Sequence, residues 1–336
     1  MTTITDSITK GVRDYYEKIM TTRSDLGTNP CCYCNPAIVP SYLRPLLKKI
    51  HPEVQEQFCG CGLPIPHDLQ NKTILNLSCG TGRDAYLLSQ LVGSSGQIIG
   101  IETSEDQLSI ACNYLDYHMK AFGYIKPNVT FQQGYIEDLK AVGISDDTVD
   151  IVIFNCAINI SPQKEKIFRE IFRVLKPGGE LYFSDIFADR RIPRHLSDDS
   201  TLLAKCLGGA MYIDDFRRML INIGCLTYRV TDNHKIDIKG LELLHKVGMI
   251  NFQSMTIRIF NCDFEDRCEN YGHVAYYKGT AALSPHFFVL DDHHTFYTGI
   301  PYPVCSNTAK MLLETRYVEH FRIDGDFTTH YGSFSC

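Results

Sequence analysis

Residues 73–88, TILNLSCGTGRDAYLL, combine a short apolar strand, a glycine loop and a helix. Gly80 and Gly82 let the backbone approach a ligand closely, and the helix offers unpaired N–H groups in its first turn. The loop is tighter than the G-x-G-x-x-G spacing that holds a pyrophosphate. It therefore predicts a binding site for a nucleoside without phosphates, at the end of the first strand of an α/β fold.

Strand-like and helix-like segments alternate on the C-terminal side of this loop. The predicted strands have continuous apolar runs, and the helix predicted at 163–175 has apolar residues at i, i+3 and i+4 spacing. This alternation indicates a doubly wound, Rossmann-like sheet of the α/β class, covered by helices on both faces. The predicted strands after the first are 97–102, 129–134, 149–155 and 179–187.

The pattern of predicted helices and strands divides the chain into three parts. Residues 1–65 have helical pieces around the cysteine-rich loop NPCCYCNPAIVP, and residues 66–238 contain the predicted sheet. Residues 239–336 contain short alternating strands separated by glycine, aspartate and asparagine turns, which is typical of a smaller α+β unit. We therefore expect an N-terminal cap, a central ligand-binding domain and a C-terminal domain.

The composition limits the classes of partner. The chain has 336 residues, a net charge of −6 and a hydrophobic fraction of 44%, which argue for a globular protein and against nucleic acid or an anionic membrane as a partner. Its apolar runs are too short to cross a bilayer, and its first twenty residues lack a signal-peptide core. We expect a cytoplasmic protein, whose fourteen cysteines are available for redox or soft-ligand chemistry.

The second predicted strand ends in Glu102, whose carboxylate can accept hydrogen bonds from ribose hydroxyls. Together with CGTGRD and GIE, the segment RVLKPGGELYFSD resembles the class I S-adenosylmethionine (SAM)-dependent methyltransferases. That resemblance implies SAM as the cofactor, with adenine beside GYIEDL and the reactive methyl group beside FNCAINI. The implied cofactor-binding residues are Gly80, Gly82, Arg83, Asp84, Glu102, Thr103, Ile136, Glu137 and Asn155.

Three positions depart from the usual methyltransferase pattern. Asn76 replaces a common aspartate in the first strand, Ser78 replaces the first glycine of the loop, and Glu102 replaces the commoner aspartate. Serine is small, and glutamate can reach a ribose from slightly further back. We therefore expect these departures to be tolerated.

Cysteines stand where a methyl acceptor would be activated. Methylation of nitrogen or oxygen usually needs a general base, yet FNCAINIS offers a thiol, Cys156, and no histidine or carboxylate. Cys61 lies just before the first strand, and Cys206 lies on a predicted helix after the fifth strand. The loop NPCCYC adds Cys31 and Cys32.

The cysteine-bearing motifs make the chain similar to the arsenite methyltransferases over nearly its whole length. These motifs are SDLGTNPCC, CGCGLPIP, FNCAINI, KCLGGAMY and CENYGHVAYYKGT. The resemblance implies that Cys61, Cys156 and Cys206 bind trivalent arsenic and that Cys31 or Cys32 relays electrons. It also implies an arsenic-binding insertion within residues 66–238 and a role in arsenic detoxification. The family often has an aromatic residue at the position of Cys59.

The chemistry of trivalent arsenic agrees with this resemblance. Arsenic(III) prefers three thiolates and keeps its lone pair, so it can attack the methyl group of SAM without a base to remove a proton. Methyl transfer oxidises the arsenic, and the resemblance implies that protein thiols return two electrons by forming a disulfide. Thioredoxin or glutathione is then expected to reduce that disulfide by thiol exchange.

Three other interpretations of the sequence remain open. Cys31, Cys34, Cys59 and Cys61 have a C-x-x-C and C-x-C spacing that could hold a structural zinc ion. The chain could also methylate a different small molecule, such as a thiol, a quinone or a sterol. Finally, a degenerate glycine loop would leave a zinc-binding or arsenic-binding protein without catalysis.

Overall fold

The computed structural model describes residues 39–58 and 60–335, and its centre is a sheet of eight strands. The strand order is β3-β2-β1-β4-β5-β8-β7, with the short β6 paired to β5. The strands from β1 to β6 pair in parallel, whereas β8 is antiparallel to both β5 and β7. The strands are β1 Thr73–Leu77, β2 Gln97–Glu102, β3 Val129–Gln133, β4 Val149–Asn155, β5 Leu175–Ala188, β6 Met211–Tyr212, β7 Arg229–Lys235 and β8 Phe252–Phe260.

Helices cover both faces of this sheet. The four buried residues of α6 recur along one stripe, which packs in the core with strands β4 and β5, as the sequence spacing predicts. A second core on the other face contains α3 and the residues that precede β1. The helices are α1 Arg44–Leu47, α2 Pro52–Glu56, α3 Arg83–Val92, α4 Glu105–Asn113, α5 Leu115–Phe122, α6 Lys164–Val174, α7 Arg194–Ser197, α8 Ser200–Ala204, α9 Ile213–Asn222, α10 Leu241–Val247 and α11 Ser306–Leu313. Short 3-10 helices span Ile158–Ile160 and Arg316–His320.

The end of the chain forms a smaller α+β unit with its own core of aromatic and aliphatic side chains. Its strands form a three-stranded sheet in the order β12-β9-β13 and a two-stranded sheet of β10 and β11. These strands are β9 Val274–Tyr277, β10 Phe287–Val289, β11 Thr295–Tyr297, β12 Pro301–Pro303 and β13 Phe321–Asp324. The main sheet itself extends to Phe260, the end of β8, beyond the boundary expected at 238. The division into 1–65, 66–238 and 239–336 stays a prediction.

A buried arginine joins the main sheet to this unit. The guanidinium of Arg258, on β8, donates through Nε to Glu180 Oε1 at 2.7 Å and through two other nitrogens to Leu290 O and Tyr317 Oη, each at 2.6 Å. Its side chain is only 1% exposed, so the ion pair with Glu180 is screened from solvent. In the described part of the chain, no helix combines the length and the apolar character needed to traverse a bilayer.

Candidate active site

The glycine loop after β1 turns sharply through left-handed conformations. Ser78, Gly80 and Gly82 have φ values of 49°, 56° and 86°, and Gly82 begins α3. A serine adopts this conformation only at some cost in backbone strain, and such strain is concentrated at functional sites. The turn brings the first N–H groups of α3 to the edge at which the parallel strands end, where ligands bind in this class of fold.

Glu102 ties this loop to the loop after β2. Its Oε1 accepts hydrogen bonds from the backbone N–H groups of Thr103 and Ser104, at 2.8 and 3.0 Å. Its Oε2 accepts one from the N–H of Gly80 at 2.9 Å. A carboxylate oxygen can accept two hydrogen bonds, so Oε2 can still receive a ribose hydroxyl. The residues present therefore fit a nucleoside ligand, with Glu102 fixing the two loops that would hold it.

Arg83 and Asp84 are buried at the start of α3. Arg83 Nη1 lies 3.0 Å from Asp84 Oδ1, and the guanidinium stacks over the ring of Phe58 at 3.9 Å from its centroid. The other carboxylate oxygen of Asp84 accepts from Asn155 Nδ2 at 3.2 Å. Both charged residues thus connect α3 to the segments that carry the thiols.

Asn155 holds the Cys61 segment against the end of β4. Its Oδ1 accepts from the N–H groups of Cys61 and Gly62 at 2.9 and 3.2 Å, and its Nδ2 donates to Gly62 O at 3.0 Å. With the bond to Asp84, all four hydrogen-bonding positions of the amide are used by protein atoms. Its structural role is to position Cys61, and the cofactor contact expected from the sequence stays a prediction.

The other residues expected to contact the cofactor follow strands β2 and β3. Ile136 is 6% exposed and packs in the core beneath α6, whereas Glu137 accepts a short hydrogen bond from Ser161. Thr103 follows Glu102 and hydrogen-bonds to it. Asn76, one of the departures from the methyltransferase pattern, is buried in β1 and donates to Ile153 O at 3.4 Å.

Two of the predicted arsenic-binding thiols meet directly. A disulfide joins Cys61 to Cys156, which are 95 positions apart in the sequence, with 5.9 Å between their Cα atoms. Cys206 is buried nearby, and its Sγ lies 4.0 Å from the carbonyl oxygen of Cys156. Cys156 and Cys206 both have positive φ values, 57° and 59°, which non-glycine residues rarely adopt. The backbone is therefore bent at two of the three thiol positions.

Small residues around the thiols permit these close approaches. A β-carbon at Gly62, next to Cys61, would collide with the side chain of Ser184 on β5. A β-carbon at Gly209, in the KCLGGA motif, would collide with the carbonyl oxygen of Asn159. Asn159 in turn donates to Cys206 O at 3.2 Å, so the glycine and the asparagine together fix the Cys206 turn.

Asp185 is a site residue that the sequence reasoning missed. One of its carboxylate oxygens and the sulfurs of Cys61 and Cys156 all lie within 4.8 Å of one another. Its carboxylate accepts from the N–H groups of Ile158 and Ile186, at 2.9 and 2.8 Å. Burial raises the pKa of Asp185 to about 6, although these N–H donors oppose the shift. Its position on β5, one residue past the last residue that pairs with β4, is the signal that could have identified it.

Lys164 supplies a positive charge beside the same group and was also missed. Its ammonium donates to Ser161 O at 2.7 Å. Burial lowers the pKa of Lys164 to about 8, whereas negative charge on Asp185 and Cys206 acts in the opposite direction. A cation close to Cys206 favours the thiolate, which is the form that binds soft ions.

Cys31, Cys32, Cys34 and Cys59 lie outside the described residues.

Comparisons with known proteins agree on the fold and on a family. A family model described as a methyltransferase domain matches residues 68–224. The arsenite methyltransferase of Aquipseudomonas alcaligenes is 44% identical over 326 residues, which are 97% of this chain and 93% of that protein. The arsenite methyltransferase of Mus musculus is 39% identical, over 94% of this chain and 83% of that protein.

A solved structure is similar over most of the chain. It is the X-ray structure of an arsenic(III) S-adenosylmethionine methyltransferase from Chlamydomonas reinhardtii, which is 42% identical in sequence. The match covers 88% of this chain and 99% of that one, with a TM-score of 0.85.

Proposed function

Because the chain belongs to the arsenite methyltransferase family, we propose that it transfers the methyl group of SAM to trivalent arsenic bound by Cys61, Cys156 and Cys206. The observation that carries this proposal is the meeting of Cys61 and Cys156 beside Asp185 at the end of the parallel strands. Three thiols from distant parts of the chain have few uses at that position other than a thiophilic substrate. Arsenic detoxification is the corresponding physiological role.

Binding of arsenic begins with reduction of the Cys61–Cys156 disulfide. A reductant of the dithiol or glutathione class supplies two electrons and two protons, which yields two protein thiols and the oxidised reductant. Arsenous acid then exchanges its three hydroxyl groups for three cysteine sulfurs, and each hydroxyl group leaves as water with the proton of one thiol. Cys206 is the third ligand, since its buried sulfur lies next to the Cys156 backbone and the Lys164 ammonium acts on it.

The protein prepares the thiols for this exchange. Asn155 holds Cys61 at the end of β4, and the carboxylate of Asp185 holds the turn that follows Cys156 through the N–H of Ile158. Lys164 balances the negative charge that accumulates as thiolates gather. These contacts fix the three sulfurs before arsenic arrives, which lowers the entropy cost of binding.

SAM supplies an electrophilic methyl group when it is bound. Glu102 and the glycine loop fit its nucleoside part, and the expected contacts from Arg83, Asp84, Thr103, Ile136, Glu137 and Asn155 remain part of this proposal. The lone pair of arsenic bound by three thiolates is the nucleophile, so no residue has to remove a proton from it.

The reducing side of the cycle is also part of the proposal. Transfer of the methyl group oxidises arsenic from As(III) to As(V), and two thiolates then return two electrons to it while they form a disulfide. Cys31 or Cys32 serves as the relay thiol in this step, and thioredoxin or glutathione restores the thiols. A reducing compartment such as the cytoplasm suits a site that must be reduced in every cycle.

Removal of single thiols tests the proposal. Purified wild-type protein and the variants Cys156→Ser and Cys206→Ser are incubated with arsenite, SAM and glutathione, and the arsenic species are separated and counted. We expect both variants to produce no methylated arsenic, while their affinity for SAM, measured by calorimetry, stays within about twofold of wild type. Cys225→Ser is the matched control, since this half-buried cysteine packs against the core beneath α6, outside the thiol site. Full activity in both test variants would refute the proposal.

A further inference from the structure

A second pair of cysteines meets in the C-terminal unit. Neither Cys268 nor Cys305 is in a disulfide, and their side chains hydrogen-bond to each other. Cys305 is fully buried, whereas Cys268 is partly exposed. A backbone bond from Ser306 N to Glu269 O, of 2.9 Å, fastens the two segments side by side. The contact between the thiols is therefore built into the fold.

The fold stabilises a negative charge on one sulfur of this pair. Cys305 is the N-cap of α11, and its Sγ accepts from Thr308 N at 3.4 Å and contacts Thr308 Oγ1 at 3.3 Å. The hydrogen bond from Cys268 is the largest influence that lowers the pKa of Cys305, to about 4, and the contacts with Thr308 and the charge of Arg229 act in the same direction. A thiolate is the form of cysteine that binds soft ions.

A buried histidine beside the pair lacks hydrogen-bond partners among the described residues. His273 is 1% exposed, and neither of its ring nitrogens is hydrogen-bonded to any described residue. Cys305 lies close enough to act electrostatically on this imidazole. Arg229 donates to Thr308 Oγ1 at 3.1 Å, and its Nε forms an ion pair with Asp291 Oδ2 at 3.6 Å. A buried imidazole without a hydrogen-bond partner, next to two thiols, indicates a place prepared for a ligand.

This pair is separate from the Cys61–Cys156 site. Arg229 begins β7, the outermost strand of the sheet, whereas Cys156 follows β4. Three strand spacings separate β7 from β4, which corresponds to about 14 Å across the sheet. No thiol is shared between the two sites.

We propose that Cys268 and Cys305 form a second arsenic site, which chelates trivalent organoarsenicals that carry two exchangeable hydroxyl groups. In this reaction two arsenic–oxygen bonds break and two arsenic–sulfur bonds form. The two hydroxyl groups leave as two water molecules, and each takes one proton, which comes from a thiol of the pair or, for a sulfur that is already a thiolate, from solvent. Arsenic stays trivalent, so no oxidant or reductant is consumed. The site goes beyond the proposed function and rests on it only for the choice of ligand.

Two hydrogen-bonded thiols suit such a ligand for a geometric reason. The hydrogen bond between the two side chains places both thiols within reach of one arsenic atom. A second bond to the same arsenic forms within the molecule, at a high effective concentration. Methylarsonous acid, with two exchangeable hydroxyl groups, is therefore expected to bind about 100-fold more tightly than dimethylarsinous acid, which has one.

Native mass spectrometry of the reduced full-length chain tests the site, with methylarsonous acid as the probe and SAM omitted. We expect Cys268→Ser and Cys305→Ser each to bind one arsenic atom fewer than the wild type. Serine is a favoured N-cap residue, so Cys305→Ser is expected to keep α11 folded. Cys262→Ser, a partly exposed cysteine in the same unit, is the matched control and is expected to match the wild type.

Two further measurements make the result specific. The series is repeated in a Cys336→Ser background, so that this thiol, which lies outside the described residues, cannot take the arsenic. It is also repeated in a Cys156→Ser/Cys206→Ser background, where the difference of one arsenic atom is expected to persist even if methylation is lost. The proposal is overturned if both test variants bind as much arsenic as the wild type. Equal affinity for methylarsonous and dimethylarsinous acid would also overturn it, as would a Cys268–Cys305 disulfide formed in place of the arsenic adduct.

Discussion

Replacement of Asn155 by alanine tests how the fold positions Cys61. The side-chain amide makes four hydrogen bonds, of 2.9 to 3.2 Å, to Cys61, Gly62 and Asp84. Each buried hydrogen bond contributes about 1 kcal/mol net, so loss of the four is expected to cost roughly 2–4 kcal/mol of unfolding free energy. The hydrogen bonds that are lost are those that hold the Cys61 segment against β4.

The same loss is expected to reduce activity. If about 2.7 kcal/mol of the lost hydrogen-bond free energy serves to hold Cys61 in place, the rate of arsenite methylation falls about 100-fold, because each 1.36 kcal/mol corresponds to a factor of ten in rate. The rate is measured by arsenic speciation, and stability is measured by urea unfolding of the same preparations. Asn155→Ser, which keeps a small polar side chain, provides a milder variant if the alanine variant unfolds.

Asn128→Ala is the matched control. Asn128 is similarly buried and its amide makes three hydrogen bonds, to Ser89 and Gly93, at the opposite end of the sheet. We expect a comparable loss of stability in this variant. Arsenite methylation is expected to stay within about threefold of wild type, because the structure around the thiols is unchanged. Equal activity losses in the two variants, or wild-type activity in Asn155→Ala, would refute the positioning role.

Three further predictions concern the sheet and the thiol site. Arg258→Met removes one of the two buried arginines that pair with Glu180, the other being Arg316, and is expected to lower the unfolding free energy by about 2–4 kcal/mol. The exposed Arg169→Met is expected to change it by less than about 1 kcal/mol, both measured by urea unfolding. Because the folded-state pKa of Asp185 is raised to about 6, the folded chain binds more protons than the unfolded chain between pH 4 and 6, so this residue lowers stability as the pH rises through that window. The pH slope of unfolding free energy is therefore expected to become less negative in Asp185→Asn, by up to about 3 kcal/mol across the window, and an unchanged slope would contradict the assignment. Gly62→Ala drives a β-carbon into β5 and is expected to abolish arsenite methylation while SAM binding, measured by calorimetry, persists.

The fold was largely predictable because it depends on local periodicity. The strand predicted at 149–155 is β4, Val149–Asn155, and the stripe of α6 faces the sheet as its spacing requires. The predictions of a class I methyltransferase fold and of the arsenite methyltransferase family are confirmed. The position of β8 in the main sheet was not predictable, because alternation of apolar and polar residues does not show which strands will pair with a segment. Its insertion between β5 and β7 depends on how the chain returns after β7.

The contacts within the candidate site were harder to predict from the sequence. The contact between Asn155 and Cys61 joins residues 94 positions apart, and no spacing rule connects them. Asp185 differs, because an acidic residue on a parallel strand, next to the end of its neighbouring strand, is a signal related to the one that identified Glu102. The expected contacts of individual residues with SAM and arsenic stay predictions.

X-ray absorption spectroscopy at the arsenic edge tests the central claim most directly. The reduced protein is loaded with one equivalent of arsenite, and the number of sulfur neighbours around arsenic is measured in the wild type and in Cys156→Ser. The account predicts three sulfur neighbours and no oxygen in the wild type, and two sulfurs with one oxygen in the variant. Three sulfur neighbours in Cys156→Ser, or fewer than three in the wild type, would contradict it.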